Sequence, residues 1–79
     1  MPSNLIYTNH AIKKIGFYGL EKWQIEKALS EPHRVEPANV VGLKNVIRVS
    51  NHIEIGVTIK KANDGVIKII SVWKRKLFV

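Results

Sequence analysis

Two periods of apolar residues divide the chain. Between residues 8 and 31 they recur every three or four positions, whereas from residue 44 they alternate or run together. Ala11, Ile12, Ile15 and Tyr18 share one side of a helical projection and Lys13 and Lys14 the other, which predicts a short amphipathic helix. Thr8 or Asn9 caps it, and Gly19 ends it. Ile25, Ala28 and Leu29 form the stripe of a second helix from about Glu21. It stops near Ser30 and Glu31, because Pro32 disfavours helical geometry in the residue before it. Trp23 falls off this stripe, at the rim of the helix layer or against a partner. Upstream, Leu5-Ile6-Tyr7 is either an edge strand or the lead-in to the first helix.

The second half reads as sheet. A short edge strand is expected around Arg34-Val35-Glu36, then a loop containing Pro37, Asn39 and Gly42. Three longer runs follow, Val46 to Val49, Ile53 to Ile59 and Val66 to Trp73. Ala62-Asn63-Asp64-Gly65 carries the residues that hairpin turns need for positive φ. In the middle run Ile53, Ile55, Val57 and Ile59 point to the core and Glu54, Gly56, Thr58 and Lys60 to water. With Ser50-Asn51-His52 as a three-residue turn, Val49 pairs with Ile53 and Ile47 with Ile55, which sets Arg48 opposite Glu54 on the wet face. The last run is apolar on both parities apart from Lys68 and Ser71, so its register is open and it is either covered on both sides or part of a partner surface. Two N-terminal helices packed on an antiparallel β-meander make an α+β two-layer sandwich.

Composition narrows the classes. A chain of 79 residues holds one core, so a single domain spanning residues 1–79 is expected. It has no cysteine, which removes disulfides and leaves only His and carboxylates as zinc ligands. His10, His33 and His52 share no ligand spacing, so neither a metal site nor a cofactor is expected. No apolar run approaches the roughly 18–20 residues of a membrane span, and Met1-Pro2-Ser3-Asn4 is unlike a signal peptide. A soluble cytoplasmic protein is the resulting expectation. The net charge is +7, and from Lys60 onward Lys60, Lys61, Lys68, Lys74, Arg75 and Lys76 stand against Asp64 alone. Such a field attracts RNA, DNA, an acidic protein partner or an anionic membrane surface, of which nucleic acid or an acidic partner is the expectation.

Several short motifs then fall into order: Thr8-Asn9-His10-Ala11, the Gly19-Leu20 step into a helix ending Leu29-Ser30-Glu31-Pro32, Arg34-Val35-Glu36, and the closing Ile69-Ile70-Ser71-Val72-Trp73-Lys74-Arg75. Together they resemble a family of small domains that begin with a His-Ala motif, similar to BrnT-type toxins of the RelE-like superfamily. The resemblance implies metal-independent cleavage of RNA, free or ribosome-bound, and neutralisation by an antitoxin protein. By that resemblance Arg48 matches the sheet arginine, Lys74 and Arg75 the basic residues after the last strand, and His10 the His-Ala motif. Lys44 and Asn45 stand where such sequences tend to carry an acidic residue.

Ribose-directed cleavage requires a base for the 2′-OH, cations for the charge growing on phosphorus and an acid for the leaving oxygen. The candidate catalytic residues are His10, Arg48 and Glu54, and the candidate nucleic-acid contacts are Arg48, Lys68, Lys74, Arg75 and Lys76. Each has a plainer reading: His10 as part of a helix cap, Glu54 as the cross-strand ion partner of Arg48, the terminal basic run as a solubilising end. Trp73, beside that run, is the better stacking candidate of the two tryptophans. Three functions stay open: a ribonuclease toxin, a non-catalytic module that binds nucleic acid or an acidic protein, and a homodimer formed through the last strand.

Overall fold

The computed structural model describes residues 4–62 and 65–77. The Thr8 hydroxyl accepts the Ala11 N–H at 3.2 Å and donates to the carbonyls of Ile69 and Ile70, so one side chain caps α1 (Asn9–Tyr18) and ties it to the sheet. Gly19 closes α1 in the left-handed conformation, with φ 66°, a geometry that costs glycine little. The second helix, α2 (Lys22–Ser30), starts where the Gln24 side chain accepts the Glu21 N–H at 2.8 Å.

Five strands complete the fold: β1 (Leu5–Tyr7), β2 (Arg34–Pro37), β3 (Lys44–Ser50), β4 (Ile53–Lys61) and β5 (Ile67–Lys76). Their spatial order is β1-β5-β4-β3-β2; β1 lies parallel to β5 and every other pair is antiparallel. The architecture is α+β, with both N-terminal helices on one face of a mostly antiparallel sheet. Leu5-Ile6-Tyr7 is thus an edge strand, as is Arg34 to Pro37 at the other side. In α1 three of the four stripe residues face the core, Ala11 fully buried and Ile15 and Tyr18 packed against it, but Ile12 is exposed. Asn63 and Asp64 of the predicted β4–β5 turn lie outside the described residues, while Gly65 beside them has φ 84°.

α1 lies on β5, and α2 on β4 and β3. Between them Ala11, Ile25 and Ala28 from the helices meet Val46, Val57, Ile59, Ile69 and Val72 from the sheet. Each of the valine and isoleucine side chains stabilises the fold by about 1.5–3 kcal/mol when fully buried. Ile69 and Val72 both reach this core although three residues apart. An irregularity makes that possible: Thr58 pairs with Ser71 but Ile59 with Ile69, leaving Ile70 as the extra residue of a β-bulge. The apolar character of β5 on both parities has its explanation here.

The β3–β4 turn corrects the expected register. Only Asn51 and His52 form the loop, at φ 53° and 63°, so Ser50 pairs with Ile53, Val49 with Glu54 and Arg48 with Ile55. A shift of one residue turns every side chain of β3 to the other face. Arg48 therefore sits on the helix-covered side and Glu54 on the opposite one. Ile47, only 2% exposed and outside the main core, lies on the uncovered side in line with Gly56 and Trp73. The expected wet face is accordingly not wet at its centre: Gly56 is buried and Glu54 is 3% exposed.

Candidate nucleic-acid interface

Beside the first two turns of α2, next to the turn of the β3–β4 hairpin, a cleft of about 250 Å³ opens. Trp23, Gln24 and Lys27 form its helix wall, and Arg48, Ser50, Asn51, Ile53 and Ile55 its sheet wall. The spacing of α2 makes that wall, since Trp23 and Lys27 are one turn apart while Ile25 and Ala28 face the core. Arg48 is fixed in place: its Nη1 donates to the Glu31 carbonyl at 2.6 Å, where α2 terminates and carbonyls lack helical partners. One of five guanidinium donors is thereby used. Lys27 bridges to Glu31 at 2.6 Å, and that hydrogen bond and charge, with a further contribution from Arg48, hold the Glu31 carboxyl below its ordinary value.

Strand pairing adds two more cations on this side. Lys74 pairs with Ile55, across which it faces Arg48, and Lys76 pairs with Ile53. Two strand spacings put Arg48 and Lys74 roughly 10 Å apart. Lys27 and Arg48 thus line the cleft, and Lys74 and Lys76 lie on the same face of the sheet, one strand beyond Ile55 and Ile53.

The uncovered face holds a different arrangement. Glu54 accepts from the Trp73 indole Nε1 at 3.0 Å, from Arg75 Nη2 at 3.1 Å and from Arg34 Nη2 at 3.3 Å, and Arg34 also meets Glu36 at 3.2 Å. The indole hydrogen bond, followed by the Arg75 and Arg34 contacts, holds the Glu54 carboxyl below its ordinary value despite the opposing effect of burial. The Trp73 ring lies flat over Gly56, leaving no room for a Cβ there. A carboxylate held ionised, with both oxygens engaged, is a poor proton acceptor and a good clamp.

The three candidate catalytic residues are not brought together. Arg48 and Glu54 occupy opposite faces, so the expected ion pair between them does not form; Glu54 pairs with Arg34 and Arg75 instead. His10 is exposed near the start of α1, which Thr8 ties to the Ile69–Ile70 level of β5. That is four to six residues from Lys74 and Arg75, on the order of 15 Å along the strand. The helix cap once considered for His10 is supplied by Thr8. Among the candidate nucleic-acid contacts, Arg48, Lys74 and Lys76 share the cleft side, and Arg75 faces the other way. Lys68 pairs with Lys60 near the far end of β5.

The two tryptophans differ in their surroundings. Trp73 is engaged with Gly56 and Glu54, while Trp23 is 61% exposed at the cleft, with its indole N–H donated to the Glu21 carboxylate. The available signal was the position of Trp23 off the apolar stripe, beside Lys22 and Lys27. Among the described residues no helix is long and apolar enough to cross a membrane, and no three His, Cys, Asp or Glu converge as a metal would require. Compared with known proteins, the chain matches no family model, no curated protein and no solved structure.

Proposed function

We propose that this protein is a cytoplasmic RNA-binding module, built on the RelE/BrnT-like plan that its motifs resemble, which engages the RNA backbone at the cleft between α2 and the β3–β4 hairpin. One observation carries the reading. Of the three arginines, Arg34 and Arg75 spend their charge on the Glu54 carboxylate, whereas Arg48 has no carboxylate within ion-pair distance among the described residues and stands at a cleft with Lys27 and an exposed indole. An anchored guanidinium without a carboxylate in ion-pair contact is well suited to a phosphate.

The rival reading is a metal-independent ribonuclease toxin neutralised by an antitoxin. It requires a base and an acid converging on one phosphate, and the separation of His10, Arg48 and Glu54 weighs against those residues as the catalytic set. Labelled single-stranded RNA incubated in EDTA with wild type, Arg48→Ala and His10→Ala separates the two. Intact RNA bound in a salt-sensitive way, with Arg48→Ala lowering the salt slope by roughly 0.7–1, is expected. Cleavage leaving a 2′,3′-cyclic phosphate and lost in His10→Ala overturns the proposal in favour of the toxin. Absence of binding even at low salt overturns it in favour of an acidic protein partner.

A further inference from the structure

We infer that the cleft selects single-stranded RNA, stacking one unpaired base on Trp23 while Arg48 holds an adjacent phosphate. This rests on the RNA-binding reading and specifies its ligand.

Size argues first. At about 250 Å³ the cleft lies below the roughly 300–1,000 Å³ of pockets that enclose whole drug-sized ligands, so it admits a base or a phosphate group but no stacked helix. The chemistry of the walls argues next. The Trp23 N–H is tied back to Glu21, which fixes the indole and leaves its ring faces as what it offers a ligand. Aromatic faces bind unstacked bases without regard to sequence, and bases inside a duplex are not available to them. Ser50 and Asn51 sit at the opposite rim, and their side chains make no hydrogen bond among the described residues. They supply a hydroxyl and an amide for base edges or a 2′-OH. Arg48, held by a backbone carbonyl that uses one of its donors, lines the same space.

Trp73 provides an internal comparison. It is the other tryptophan of the chain, and its ring is already covered by Gly56 and tied to Glu54. Trp73 thus has one face and its N–H already engaged, whereas Trp23 is 61% exposed and is the freer ring.

The test measures binding of a ten-nucleotide single-stranded RNA, and of the same strand annealed to its complement, by anisotropy and by intrinsic tryptophan fluorescence. Wild type, Trp23→Phe, Trp23→Ala and Arg48→Ala are compared, with circular dichroism confirming that each is folded. Expected are quenching of wild-type fluorescence by the single strand, weaker binding of the duplex, and an affinity for Trp23→Phe near that of wild type with the quenching gone. Trp23→Ala is expected to lose roughly 5- to 150-fold in affinity, with an unchanged salt slope, as the removal of one stacked base predicts. Single-stranded RNA that binds Trp23→Ala as tightly as wild type, or duplex bound as tightly as single strand, overturns this inference and leaves the RNA-binding reading standing. Failure of every RNA form to bind, or binding indifferent to Arg48→Ala, removes the parent reading itself.

Discussion

Replacing Gly56 with alanine tests the arrangement of the uncovered face. A Cβ at this position would overlap the six-membered ring of Trp73, so the indole must lift away from β4. Lifting it breaks the 3.0 Å hydrogen bond from Nε1 to the Glu54 carboxylate. Overpacking of this kind costs typically about 1–3 kcal/mol. A hydrogen bond to a charged group contributes about 1.5–3 kcal/mol more. Against both stands the gain of about 0.5–1 kcal/mol from removing a glycine inside a strand, since Gly56 has no positive φ that alanine would strain. The balance is a destabilisation of about 2–5 kcal/mol. Urea unfolding of wild type, Gly56→Ala, Trp73→Ala and the double variant measures it. The cost of Gly56→Ala should disappear or change sign in the Trp73→Ala background, because the ring that it strikes is gone. An equal cost in both backgrounds, or a Gly56→Ala protein as stable as wild type, refutes the reasoning.

Three further outcomes follow from the same contacts. Glu54→Gln keeps the shape but loses the charge, and should destabilise by about 2 kcal/mol in urea unfolding, toward the lower end for charged hydrogen bonds because Arg34 and Arg75 are half-exposed and regain water. The folded Glu54 carboxyl holds its proton less tightly than the unfolded one, so its contribution is complete above the ordinary value of 4.5 and is lost as pH falls through the depressed value. Thermal melts should therefore decline below about pH 4.5 more steeply for wild type than for Glu54→Gln; parallel curves contradict the assignment. Thr8→Ala removes the cap of α1 and its tie to β5, and should cost about 1–2 kcal/mol in the same urea assay while leaving RNA affinity unchanged.

The helices and the edge strand around Arg34 were legible because their signals are local, whereas Leu5-Ile6-Tyr7 was too short to decide between strand and helix lead-in. Thr8, Gly19 and Pro32 mark the helix ends by side-chain capping, left-handed geometry and steric exclusion, none of which depends on the rest of the fold. The β3–β4 register was not legible, and a single residue is the reason. A two-residue turn with two positive φ values ordinarily announces itself by glycine at the second position, and here His52 takes it. Reading the turn as three residues moved Arg48 to the wrong face and paired it with Glu54. The bulge at Ile70 was hidden in the same way, although the excess of apolar residues on both parities of β5 was its trace. That Glu54 is a cross-strand ion partner was legible, but which residues it meets was not, because Arg34, Trp73 and Arg75 come from strands on either side. The concentration of charge near the C-terminus was evident from the sequence, but its division between the two faces depends on strand parity, which leaves Lys74 and Lys76 on the cleft side and turns Arg75 toward Glu54.

The central claim is that RNA is bound on the helix-covered side, in the cleft between α2 and the β3–β4 hairpin. Nuclear magnetic resonance of the ¹⁵N-labelled protein, titrated with single-stranded RNA at moderate salt, tests it most directly. The account predicts that the amides of Trp23, Gln24, Lys27, Arg48, Ser50 and Asn51, together with the Trp23 indole N–H, shift along a saturating curve while the Trp73 indole stays still. Shifts centred on Arg34, Glu54, Trp73 and Arg75, or on Lys60 and Lys68, would place the RNA on the other face of the sheet and contradict it.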